Sequence, residues 1–139
     1  MKSILFLCTG NSCRSQMAEG WGNKIWGEKY QFFSAGIKKH GINKRAVKVM
    51  KNHGVDISFQ ESNVVDELKI REFDTVFTVC SDAHETCPIF PGAKIIHVGF
   101  DDPPRLTKNL MNEEEILEVY DRVCLEIKDF IENLEEFIL

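Results

Sequence analysis

Short apolar runs alternate along this chain with apolar stripes at helical spacing. Ser3 to Leu7 is almost continuously apolar, as expected for a strand buried on both faces. From Ser15 to Trp26, Ala18, Trp21 and Ile25 recur at three- and four-residue intervals, which predicts a helix ending near Gly27. Tyr30 to Ser34 reads as a second strand. Asn43 is placed to cap a helix that turns Ala46, Val47 and Met50 inward and stops at Gly54. A further helix is expected over Asn63 to Ile70, with Val64, Val65 and Leu68 as its stripe. Thr75–Val79 and Ala93–Val98 are the third and fourth strands. In the last helix Asn112 is the cap and three glutamates load the first turn. Ile116, Tyr120, Val123, Ile127, Phe130, Leu134 and Ile138 then keep helical spacing to the end.

The order β-α-β-α-β-β-α predicts an α/β fold over residues 1–139 as a single domain. Its core is an open four-stranded parallel sheet with helices on both faces. In such sheets ligands bind beyond the carboxyl ends of the strands, where the strand order reverses. With strand one between strands two and three, in the order 2-1-3-4, that point lies between strands one and three. Cys8 follows strand one and Cys80 follows strand three. Neighbouring strands lie about 4.8 Å apart, and a disulfide needs Cα atoms roughly 4.4–6.8 Å apart. A Cys8–Cys80 bond is therefore geometrically feasible.

Composition narrows the classes. The chain is 43% hydrophobic and 28% charged, as a soluble globular protein is, and its net charge of −5 argues against a nucleic-acid surface. It contains no apolar run of membrane-spanning length and no signal-peptide pattern, so a cytoplasmic location is expected. In that reducing setting five cysteines are not a structural disulfide framework. Their spacings also miss those of zinc knuckles, which leaves redox or catalytic use.

The chemistry concentrates in Cys8-Thr9-Gly10-Asn11-Ser12-Cys13-Arg14-Ser15, between a strand and a helix. Inward-turned amides of such a loop form an anion nest, reinforced by the helix amino terminus. Arg14 adds a planar fork for two oxygens of a tetrahedral oxyanion. A cysteine in that field is expected to ionise well below its free pKa and act as a nucleophile. Cys13 is read as a bystander and Cys124 as packing.

A second pair, Cys80 and Cys87, lies seven positions apart. An intact helix would separate them by about 10.5 Å of rise, so a Cys80–Cys87 bond requires the segment to unwind. Taken alone, the pair reads equally well as two structural thiols. Downstream, Asp102 in Gly99-Phe100-Asp101-Asp102-Pro103 is the candidate acid at the same sheet edge. The four histidines show no metal spacing, although His84 lies between the paired cysteines.

The run from Cys8 to Trp21 resembles the amino-terminal signature of thioredoxin-coupled arsenate reductases, which share the low-molecular-weight tyrosine phosphatase fold. The resemblance continues through Ser34-Ala35-Gly36, His40-Gly41, Asp56-Ile57-Ser58, Cys87-Pro88 and the Asp101-Asp102-Pro103 segment, and covers essentially the whole chain. It implies that Cys8, Cys80, Cys87, Arg14 and Asp102 carry catalysis, and that Thr9 to Ser15 hold the oxyanion. Ser15 would help stabilise the thiolate. Arsenate would add to Cys8, and a Cys8–Cys80 disulfide would then pass to Cys80–Cys87 for reduction by thioredoxin. The implied partners are arsenate, with phosphate or sulfate competing, and thioredoxin; the implied state is a monomer. No tightly bound cofactor is implied. In some members a potassium ion sits near residues matching Asn11, Glu19, Ser34 and an aspartate, but here the last position is Asn63. Two other readings remain: a phosphatase using Cys8, Arg14 and Asp102, and a redox-sensing module. Against the phosphatase, Pro104-Arg105 stands where that enzyme class usually places tyrosines.

Overall fold

The computed structural model describes residues 1–70, 72–80 and 90–139. Strands β1 (Lys2–Cys8), β2 (Tyr30–Gly36), β3 (Thr75–Thr78) and β4 (Lys94–His97) form one parallel sheet in the order β2-β1-β3-β4. This is the expected order. β1 is central and buried from Ser3 to Cys8, which explains why its sequence is apolar rather than alternating.

Alternation along β1 sends Ile4 and Phe6 to one face and Leu5 and Leu7 to the other. Phe6 stacks between Phe32 and Phe77, with ring centroids 5.8 Å away on each side. Over that face lie α1 (Arg14–Trp26) and α4 (Glu113–Glu132), which pack on each other. Gly22 of α1 meets the Phe32 ring, and Phe130 of α4 meets Phe77 edge-on at 5.1 Å. Phe33, Phe73 and Phe90 form a second edge-to-face chain. Helix α2 (Lys44–Asn52) packs on α1 and α4 through Ala46, Val49 and Met50, while Val47 is only half-buried. As expected, Asn43 caps it: the side-chain oxygen accepts from the N–H groups of Arg45 and Ala46.

The structure departs from the sequence reading in three places. Over residues 63–70 there is only a 3-10 turn, Val65–Glu67. Tertiary bonds hold the start of that segment extended: Gly36 N–H donates to the Asn63 carbonyl at 2.7 Å, and Gly36 bridges Val64. A short helix α3 (Pro103–Thr107) follows Asp102, started by two prolines that have no N–H to waste in a first turn. The last helix ends at Glu132, and a separate turn α5 (Glu135–Ile138) follows. There the Trp26 indole N–H donates to the Ile131 carbonyl at 2.7 Å, occupying an acceptor that a continuing helix would use. Residues 81–89, and with them the expectations for Cys87, His84 and a helix across 80–87, lie outside the described residues.

Phe130 joins the sheet to the carboxyl-terminal turn and to the loop after β4, since it meets Phe77, Phe137 and Phe100. Phe130→Ala should cost about 3–5 kcal/mol of stability, read as a lower urea midpoint at unchanged slope. A loss below 1 kcal/mol would contradict this role for the ring.

Candidate active site

The loop between β1 and α1 is fixed by where its carbonyls point. Ile37 N–H donates to the Cys8 and Thr9 carbonyls, and Lys38 N–H to Thr9. His40 N–H and the Ser62 hydroxyl donate to Gly10, the Gln16 amide to Asn11, Asn43 N–H to Ser12 and Met17 N–H to Cys13. Six successive carbonyls thus face outward. The N–H groups of Gly10 to Cys13 meet no acceptor among the described residues. This is the arrangement of an anion nest.

Two residues make the turn feasible. Asn11 adopts φ +47°, a left-handed conformation that asparagine tolerates better than most. Its buried amide donates to the Ser15 hydroxyl at 2.9 Å and accepts Asn63 N–H at 2.7 Å. At Gly36, a Cβ would sit 2.7 Å from the Asn11 nitrogen and 2.3 Å from the Lys38 carbonyl. Only glycine lets the strand lie that close to the loop.

Arg14 opens α1 and is buried. One terminal nitrogen donates to the Phe100 carbonyl at 3.1 Å, and the other lies 3.7 Å from Asp102 Oδ1. Its Nε is buried and has no acceptor among the described residues. A buried donor in that state costs about 1–3 kcal/mol, which an oxyanion oxygen would recover. The two aspartates separate clearly. Asp102 joins Arg14, whereas Asp101 pairs with Arg122 of α4 at 3.2 Å.

Cys8 and Cys80 come together at adjacent strand ends, as the strand order requires. Both are buried. Both thiols line one cavity, and the Cys80 sulfur lies 3.0 Å from the Thr9 hydroxyl. The expectation of a depressed Cys8 pKa is overturned. Hydrogen bonding with Cys80, and then burial, hold the thiol well above its usual range; the Arg14 charge and Thr9 N–H only oppose this. A neighbouring thiol that shares the proton outweighs the nest when no anion is bound. Cys13 is pushed up to about 12 by burial. Cys124, raised by burial to about 11, packs its sulfur on Met50.

These groups line a cavity of about 720 Å³, together with His40, Asn43, Gly99, Pro104 and Arg105. Sequence reasoning had treated Asn43 only as a cap, and had used Pro104 and Arg105 only to mark missing tyrosines. The His40 ring rests on Gly10, where an added Cβ would come within 2.4 Å of Nδ1.

The residues named for potassium are hydrogen-bonded to one another and to Asn63 and Ser15. Asn11 spends both amide atoms on Ser15 and Asn63, while the Ser34 hydroxyl donates to Glu19 at 2.6 Å. Burial raises Glu19 to about 6, which weakens the one carboxylate of the set. Among the described residues no cluster of three metal-ligating side chains occurs.

A family model described as low molecular weight phosphotyrosine protein phosphatase matches residues 3–137. The chain belongs to that family. Its relatives include arsenate reductase 2 of Staphylococcus saprophyticus, 47% identical over 95% of this chain and 98% of that protein. A solved arsenate reductase in the phosphate-binding state covers the whole of both chains with a TM-score of 0.82 and 28% identity. The low molecular weight protein tyrosine phosphatase of T. tengcongensis superposes with a TM-score of 0.76 and 27% identity, covering 98% of this chain and 99% of its own. Within the phosphatase family, the thiol paired with Cys8 is therefore the feature to test.

Removing Cys80 removes the largest influence raising the Cys8 pKa. In Cys80→Ala, the Cys8 thiolate, followed by ultraviolet absorbance against a Cys8→Ser control, should form at lower pH than in wild type. An unmoved midpoint would show that burial alone sets the value.

Proposed function

We propose that this chain reduces arsenate to arsenite by a three-thiol relay recycled by a thioredoxin-like dithiol. The observation that carries the reading is that Cys8 and Cys80, at the ends of paired strands, line one cavity with Arg14. A phosphate-ester hydrolase needs one thiol there; a reductase needs a second within reach of the first. The relatives named arsenate reductase support the same reading.

The steps balance as follows. Arsenate enters the nest with its oxygens on the loop amides and Arg14. Cys8 displaces one arsenate oxygen, which leaves as water with Asp102 assisting the proton, and a sulfur–arsenic bond forms. Cys80, as thiolate, attacks the Cys8 sulfur. The sulfur–arsenic bond breaks with its electron pair going to arsenic, so As(V) becomes As(III), arsenite departs, and a Cys8–Cys80 disulfide remains. Cys87 then attacks Cys80, releasing Cys8 as thiolate and forming Cys80–Cys87. An external dithiol reduces that bond and returns the protein to its starting state. A free monomer in the cytoplasm, where such donors are reduced, fits this cycle.

The test is arsenate-dependent NADPH consumption with thioredoxin and its reductase. Wild type should turn over, and Cys8→Ser should not react. Cys80→Ser should form no arsenite beyond background. Cys87→Ser should stop after one turnover with a Cys8–Cys80 disulfide visible by mass. Multiple turnovers by Cys80→Ser would refute the relay, and hydrolysis of phosphotyrosine with no arsenate reduction would replace it with a phosphatase.

A further inference from the structure

We infer that Arg105 is a second oxyanion-binding residue, which draws inorganic oxyanions into the cavity and sets the preference for them over aromatic phosphate esters. This assignment rests on the oxyanion site proposed above.

The argument begins with the charges that line the cavity. Arg14, Arg105, Asp101 and Asp102 carry them, with His40 on the rim. Arg14 is shared with Asp102, and Asp101 is held by Arg122 from outside the lining. Arg105 has no carboxylate partner among the described residues. It is exposed at the end of α3 and still lines the cavity. With Asp101 neutralised by Arg122 and Asp102 by Arg14, Arg105 supplies the one net positive charge of the lining. Without it, an arsenate dianion would meet no net positive charge, where the Arg14 charge is already divided.

Position supplies the second half. Asp102 is the N-cap of α3, and Arg105 stands three residues later, one turn along the same short helix. The acid that serves the Cys8 step and the free guanidinium are therefore carried on one element. Its two opening prolines fix φ at the start of that turn. A guanidinium fork suits a tetrahedral oxyanion that still has oxygens exposed after Arg14 has taken two. An aromatic ester would need an apolar wall at that place, and Pro104-Arg105 gives it a cation beside a proline.

The test compares Arg105→Ala, Arg105→Glu and Arg105→Lys with wild type. Its readouts are steady-state arsenate reduction and calorimetric titration with inorganic phosphate, which needs no electron donor. Arg105→Ala should raise both the KM for arsenate and the Kd for phosphate roughly tenfold, with kcat and melting temperature unchanged. Arg105→Glu should raise both further, and Arg105→Lys should recover most of the affinity. Wild-type KM should also climb more steeply with ionic strength than that of Arg105→Ala. Phosphate affinity unchanged in both Arg105→Ala and Arg105→Glu would overturn the inference. So would an effect confined to the KM for thioredoxin, which would make Arg105 part of a donor-docking surface. A wild-type protein that binds phosphate without reducing arsenate would instead overturn the functional reading and leave Arg105 to be judged by titration alone.

Discussion

The site depends on the outward bonding of six carbonyls in the loop from Cys8 to Cys13. A peptide group that turns its carbonyl out must turn its N–H in. The nest is therefore made less by the loop residues than by the groups that capture those carbonyls. These are the backbone of Ile37, Lys38, His40 and Met17, the Asn43 cap, and the side chains of Gln16 and Ser62. Gln60 fixes Gln16 in turn, donating to its side-chain oxygen at 2.8 Å. The connections after β2 and α2 thus act as the scaffold of a loop far from them in sequence. Gly36 matters because any side chain there would push this scaffold off the loop.

The same geometry explains why the nucleophile is not pre-ionised. A nest and an arginine favour the Cys8 thiolate, but Cys80 sits against it and shares its proton. The two demands conflict. A resolving thiol close enough to break a sulfur–arsenic bond is also close enough to stabilise the resting thiol. The proximity delivers the second step at the expense of the first.

Most of the fold was legible because it follows from periodicity: the strand order and the capped helices at Asn43 and Asn112 matched the sequence pattern. The failures have a common cause. The 63–70 segment has a helical stripe, but its backbone is recruited by Gly36 and Asn11, and no local signal records a bond formed across 27 or 52 residues. The last helix stops because Trp26, from a distant element, takes one of its carbonyls. At the site, Cys8, Arg14 and Asp102 could be picked out from residue type and strand position. The rise in the Cys8 pKa could not, because it depends on the direction of a thiol from β3. The Asp-Pro-Pro run was the missed signal for α3, and with it for the placement of Arg105.

An acidic chain that binds a dianion poses an electrostatic problem, and the structure answers it by distance and pairing. The net charge of −5 is carried largely by the carboxyl-terminal third. There, Arg45 holds Glu113 through two hydrogen bonds, and Arg122 spans Asp101 and Glu126. Charges beyond about 8 Å are largely screened at physiological ionic strength, so exposed carboxylates along α4 contribute little inside the cavity. What an incoming oxyanion meets is local: inward N–H groups, the helix terminus, and a guanidinium whose buried Nε has no acceptor among the described residues. Pairing Asp101 with Arg122 is part of this solution, because it neutralises the one lining carboxylate that Arg14 does not reach. Field direction at the loop, and not net charge, decides which ion this protein admits.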